Sequence, residues 1–321
     1  MIGIYRVYED GKLIREAKNK LTLLGRSNAL STMLGLTQSF AGSMGIGIDE
    51  TANATGAFHD KTDLNFGVGK YPITGSSLGT SGAKDALIYT SRITDPSRYE
   101  IYELGLYSNQ INGSADVDAL TIFNFESGDA LKETVSGTDY YIDDTATAYT
   151  ASKKTAILDD GVNYRIGINA LKVFSGTTVF YNDNPVDLSS FYEYDSLKLA
   201  FYTFGAVTVT IKFYSGTAHA DYAFTGTTGT YQVLSKLKNS VTPSATMDWS
   251  NITKIELVVS GGTTGTSYAV LDGLRTLKDK PVDSIDGLIS RVTFDNSTKI
   301  SKTAGSIIDI EYLLIFDLDA G

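Results

Sequence analysis

Few side chains in this sequence have the type and spacing that covalent chemistry needs. The two histidines, His59 and His219, stand among Ala, Asp and Phe without an H-x-x-H or His-x-Glu partner. A catalytic imidazole needs a second group to orient it. Gly75-Ser76-Ser77-Leu78-Gly79 satisfies the letters of G-x-S-x-G, but a nucleophile elbow needs a strand before it and a helix after it. Here both flanks read as loop. The adjacent carboxylates Asp143-Asp144 and Asp159-Asp160 do not make a glycosidase pair, because neighbours on a strand point to opposite faces. Gly67-Val68-Gly69-Lys70 lacks the spacing of a phosphate loop. No acid, base and nucleophile set emerges, so the expectation is a protein that is not an enzyme.

Binding chemistry is better supplied. There are 20 tyrosines, and aromatic faces stack on sugar rings while their hydroxyls stay wet. Tyr202 and Tyr214 fall on the strand positions that point away from the core, and Tyr222 and Phe224 lie in the hairpin that follows. These four are the candidate glycan contacts. The same side chains also suit a second apolar layer or an oligomer interface. Trp249 precedes an amphipathic strand and is assigned to structure, stapling the edge of a sandwich.

The elements that position these residues are strands. Glycine, threonine, serine and tyrosine are abundant, proline is sparse at five residues, and long runs of helix formers are missing, which favours many short strands. Ile2–Tyr8, the turn Glu9-Asp10-Gly11-Lys12 and the return from Leu13 predict a hairpin. LTLLGRSNALSTMLG is the one helical segment, with Leu30, Met33 and Leu34 at helical spacing and Gly35 as its stop. Residues 36–80 read as glycine-rich and irregular. Leu197, Leu199 and Phe201 share one face, as do Val207, Val209, Ile211 and Phe213, and as do Ile255, Leu257 and Val259. Strands at this spacing predict a two-sheet antiparallel sandwich. The formal charge of −10 argues against nucleic acid or an anionic membrane as partner. With no cysteine, disulfides and thiolate metal sites are excluded. No run approaches the roughly 20 apolar residues that cross a bilayer. The amino terminus already reads as strand and turn, so no signal peptide is expected.

After Pro281 the chain returns to the style of its first hundred residues, and the apolar strand within SIIDIEYLLIFDL needs a sheet to join. The expected plan is mainly β: a small frame domain with one short helix, from residues 1–119 with 278–321, and an inserted jelly roll from 120–277.

Several segments carry family resemblances. NKLTLLGRSNALSTMLG, then MGIGIDETANAT followed by DLNFGVGKYPI, then YEIYELGLYS and the closing SRVTFDNSTKISKTAGSIIDIEYLLIF resemble, in that order, a domain of tail-fibre, baseplate or collar appendages in tailed bacteriophages. The last turn, Lys302-Thr303-Ala304-Gly305, is longer than usual in that family, and the first loop lacks its proline. The inserted half resembles carbohydrate-binding modules of the galactose-binding-like jelly rolls, through FNFESGD, DLSSFYEYDSLKLAFY and DWSNITKIEL…YAVLDGLRTL. The first resemblance implies a virion component that contacts other virion proteins. The long apolar terminal strand and the exposed tyrosines point to self-association, a trimer being the guess. The second implies host-surface glycans as ligand. It also implies a structural calcium held by an acidic residue of the first strand and an Asp of the last, here Glu126 and Asp272. The alternative for that pair is a carboxylate capping a strand end. A head-decoration or capsid-fibre protein, or a polysaccharide-degrading enzyme, are the other readings.

Overall fold

A computed structural model of the chain describes residues 2–34, 40–50, 64–82, 84–108, 119–123, 125, 132–135, 138–142, 165–167, 170–182, 187–191, 195–277 and 287–315. It is mainly β and divides into two compact units, residues 1–117 with 280–321, and residues 118–279.

In the first unit, β1 (Ile2–Glu9) and β2 (Lys12–Leu21) form the opening hairpin. Its turn is made by Asp10 (φ 49°) and Gly11 (φ 80°), two positive-φ residues whose twist matches that of the flanking strands. Next come α1 (Leu23–Met33), β3 (Ser43–Gly47), β4 (Gly67–Ser81), β5 (Lys84–Ile93), β6 (Tyr99–Ile101) and β7 (Glu103–Tyr107). The second unit holds β8 (Ala119–Phe123), β9 (Lys132–Val135), β10 (Thr138–Ile142), β11 (Leu171–Phe174), β12 (Thr177–Asn182), β13 (Ser196–Phe204), β14 (Val207–Ser215), β15 (Ala218–Thr225), β16 (Tyr231–Leu237), β17 (Lys254–Gly261) and β18 (Tyr268–Leu277). The chain then re-enters the first unit as β19 (Leu288–Thr293), β20 (Ile300–Lys302) and β21 (Ile308–Ile315).

The first unit is a closed barrel in the order β1-β2-β19-β7-β3-β4-β5-β21, with β20 and β6 paired separately. First and last strands lie side by side, from Ile2 opposite Ile315 to Glu9 opposite Ile308. The stretch expected to be irregular holds β3 and all but the last residue of β4, a 15-residue strand. Its glycine, serine and threonine content hides it from periodicity, and pairing with β3 on one side and β5 on the other makes it a strand. The helix is capped by the Thr22 hydroxyl, which accepts from the Gly25 amide at 3.0 Å. Leu30 and Leu34 do not belong to a buried stripe, being 61 % and 72 % exposed, whereas Asn28 and Ala29 are buried. A Cβ on Gly25 would lie 2.1 Å from the Ile289 carbonyl oxygen, so the glycine is what lets the helix approach β19.

The barrel unit also buries charge. Glu103 and Arg291, 188 residues apart in sequence, are both buried; Arg291 donates from Nε at 3.0 Å and from Nη2 at 2.5 Å. The same carboxylate accepts the backbone amides of Asn65 (3.0 Å), Phe66 (3.1 Å) and Asp49 (3.3 Å).

The second unit is a sandwich. A six-stranded sheet, β15-β14-β17-β12-β10-β9, faces a five-stranded one in which β11-β18-β13-β16 are joined by β8 pairing with β18. The core between them is built from the three alternating sets read from the sequence, 197–201, 207–213 and 255–259, joined by Phe191, Tyr222 and Phe224. Trp249 packs on this core, edge-on to Phe191 at 5.5 Å and 5.8 Å from Phe213.

Candidate functional site

The four aromatic candidates do not form one site. Tyr222 and Phe224 are fully buried. β15 alternates inward through Ala218, Ala220, Tyr222 and Phe224, so both rings are core and drop out as glycan contacts. Tyr202 and Tyr214 do point away from the core, but from opposite sheets: Tyr202 from β13, Tyr214 from β14.

Around Tyr214 the outer face of the six-stranded sheet is polar and internally paired. Its hydroxyl donates to Glu256 Oε2 at 2.5 Å, and Lys254 Nζ stands 3.8 Å above its ring. Burial first, and then that bond to Glu256, raise the tyrosine pKa. His219 Nδ1 lies 2.7 Å from Asp221 Oδ1, and Lys212 Nζ lies 3.1 Å from Asp221 Oδ2. Asp221 is thus the partner for His219 that the sequence reading did not find. Two residues apart on a strand share a face, and His-x-Asp was the signal to look for. His59 and both adjacent-aspartate pairs fall outside the described residues. Ser77 of the G-x-S-x-G match is exposed in mid-strand on β4, with no helix after it, so it is no nucleophile elbow.

The other outer face is different. Cross-strand register sets Phe174 of β11 and Phe204 of β13 on either side of Tyr268 of β18. Phe204 and Tyr268 stack, with centroids 5.2 Å apart and planes at 17°; Phe174 meets Tyr268 edge-on at 5.8 Å. Lys172 Nζ lies 3.8 Å from the Tyr268 ring centre and 5.3 Å from that of Phe174. One row further along, Tyr202 is opposite Val270 and packs with Tyr268 on the small Ala170–Val270 cluster. Across three strands spaced about 4.8 Å apart, this row spans roughly 10 Å. Phe204 is 47 % exposed, a large apolar surface to leave in water. Sequence reasoning missed Phe174, Phe204, Tyr268 and Lys172, because only the register of three distant strands assembles them.

Asp272 lies close to this face. Ala200 pairs with Gly273 and Phe201 with Leu271, so Asp272 is the extra residue of a β-bulge on β18. It is fully buried. Oδ2 accepts the amides of Arg165 (2.7 Å) and Ile166 (3.2 Å) and the Tyr231 hydroxyl (2.5 Å), while the Arg165 guanidinium lies 4.0 Å from the Tyr231 ring centre. Oδ1 has no hydrogen-bond partner among the described residues. Burial pushes the carboxyl up to about 7 against the pull of those donors. An unpartnered buried carboxylate oxygen is the donor that calcium takes, so Asp272 fits the implied ion as one of six to eight ligands. Glu126 lies outside the described residues, and among those described no three His, Cys, Asp or Glu side chains converge.

In the barrel unit a 440 Å³ depression is lined by Tyr8, Thr74, Arg92, Asp309 and Glu311. Its charges are spent on one another: Arg92 grips Asp309 at 2.6 and 3.1 Å, and Tyr8 donates to Glu311 at 2.9 Å.

No known family's sequence profile matches the chain, and no curated protein matches it. Among solved structures there is weak similarity to a family 30 carbohydrate-binding module of the cellulosomal cellulase Cel9D-Cel44B of Clostridium thermocellum (15 % identity, TM-score 0.30, covering 50 % of this chain and 99 % of that one). An exo-β-agarase is similar at 13 % identity and TM-score 0.33, over 50 % of this chain and 26 % of its own. PfGH50B is similar at 11 % and 0.28, over 39 % and 21 %. The match thus spans about a quarter or less of these two chains.

Proposed function

We propose that this chain is a non-enzymatic structural component of a tailed-phage virion, a tail, baseplate or collar appendage, whose sandwich unit binds extracellular or host-surface glycans. The observation that carries the binding half is the row Phe174–Tyr268–Phe204, with Tyr202 and Lys172 beside it, on an outer sheet face. Exposed aromatic surface gives a sugar ring a stacking partner, and an ammonium at its margin donates to hydroxyls or carboxylates. The virion half is supported by the order of the sequence segments quoted above. Its partners are then other virion proteins and further copies of this chain. Calcium belongs to the same reading, bound through Asp272 Oδ1 with Glu126 as a second ligand; its role there is to tie the sandwich together.

The full chain, screened on a glycan array and by pull-down on insoluble polysaccharides, is expected to retain at least one glycan and to release no reducing ends. Phe204 is half in solvent, so Phe204→Ala should leave the melting temperature nearly unchanged. Losing one aromatic stack of about 0.5–1.5 kcal/mol should weaken binding up to roughly tenfold. Tyr214→Ala, on the opposite sheet, should bind like the wild type. Equal affinity in Phe204→Ala and wild type removes the site; sugar release by the wild type removes the non-enzymatic reading.

A further inference from the structure

The barrel is closed along only part of β4. Gly67–Pro72 pair with β3, and the last link on that side is the Ile73 amide to the Gly42 carbonyl at 3.1 Å. From there to Ser81 the strand pairs with β5 alone, and among the described residues no strand lies on its other side. The resulting edge, Ile73-Thr74-Gly75-Ser76-Ser77-Leu78-Gly79-Thr80-Ser81, holds no charge and no proline. Natural proteins guard such edges with lysines, other charges or proline. The chain does so elsewhere: the β2 stretch that pairs only with β1 carries Lys12, Arg15, Glu16 and Lys18, and the sandwich edges carry His219 and Asp221 on β15 and Lys236 on β16. Leu78, in the middle of the bare edge, is 84 % exposed.

The register says which backbone groups are on offer. Ser81 faces Lys84 across a two-residue connection, so that closing pair exchanges hydrogen bonds, and bonded and non-bonded pairs alternate from there. Ser77, Gly79 and Ser81 thus bond to β5, while the amides and carbonyls of Ser76, Leu78 and Thr80 point outward.

We infer that this edge is a self-association surface, pairing antiparallel with the same strand of a second copy about a two-fold axis through Leu78. An antiparallel strand is its own complement about such an axis. Ser76 would face Thr80 of the other copy and Leu78 would face Leu78, so the three outward pairs are all satisfied and both leucines leave water. A second copy is the partner this strip complements without setting charge against charge. At a net −10 two chains repel one another over most of their surfaces, and this strip brings no charge to the contact.

Because the chain has no cysteine, a single introduced thiol reports the contact directly. Directly opposed residues in a hydrogen-bonded pair have Cα atoms about 5.5 Å apart, within disulfide range. In Leu78→Cys under mild oxidant, the expected product is a covalent dimer. Ala304→Cys is the control: it is exposed in the turn before β21, at the opposite end of the β5–β21 ladder, and should cross-link slowly. Light scattering over a concentration series should show wild type approaching twice the chain mass. Leu78→Lys, with an unchanged melting temperature, should stay at one. A wild type that remains monomeric, a dimer that survives Leu78→Lys, a three-chain mass, or equal cross-linking of the two cysteine variants each overturns the inference.

Discussion

Glu103→Ala is expected to lower the melting transition of the barrel unit by roughly 10 °C, the largest single-residue loss in that unit. The substitution leaves the Arg291 guanidinium buried without its counter-charge. It also strips three backbone amides, those of Asp49, Asn65 and Phe66, of their acceptor. Breaking a buried pair from one side costs about 3–5 kcal/mol, a large part of a domain's whole stability. Glu103→Gln should be milder, because its amide oxygen still accepts from the backbone. Replacing both partners, Glu103→Leu with Arg291→Met, should recover part of the loss, since no isolated charge then remains in the interior. Calorimetry on the three variants separates these terms. If Glu103→Ala melts with the wild type, the pair does not hold the barrel.

That pair also shows where sequence reading stops. Strands such as β14 and β17 were legible because large apolar residues alternate with polar ones, and the opening hairpin because Asp10-Gly11 is a turn dipeptide with its own backbone preference. The inward run of β15 was there to be read too. Two of its four core positions are alanines, weak markers of a buried face, so the sequence alone leaves Tyr222 and Phe224 among the surface aromatics. β4 was illegible for a different reason. Its Gly, Ser and Thr residues carry no pattern, and only its neighbours fix it as a strand. The aromatic row and the Glu103–Arg291 pair depend on register between strands far apart in sequence, which no local pattern contains. His219 and Asp221 needed only a period of two.

Asp272 should make the stability of the sandwich fall as pH rises from about 4 to about 7. The sign follows from the two protonation equilibria. Unfolded, the carboxyl titrates at its ordinary value of 3.8; folded, burial raises it to about 7. The native state therefore holds the proton more tightly. Its contribution is fully present below the unfolded value and is lost as pH passes through the folded one. About three pKa units correspond to roughly 4 kcal/mol across that window. Asp272→Asn keeps an oxygen for the Arg165 and Ile166 amides and the Tyr231 hydroxyl, and it cannot ionise. It should match the wild type near pH 4, exceed it at pH 8, and show no slope from this position in between. Denaturant unfolding at a series of pH values in EDTA reads this directly. Under the proposed function, calcium competes for the same oxygen as the proton. At pH 8 it should stabilise the wild type, flatten its pH profile, and leave Asp272→Asn unmoved. Equal slopes for wild type and Asp272→Asn in EDTA would refute the buried-proton account, and a calcium response that survives in the variant would place the ion elsewhere.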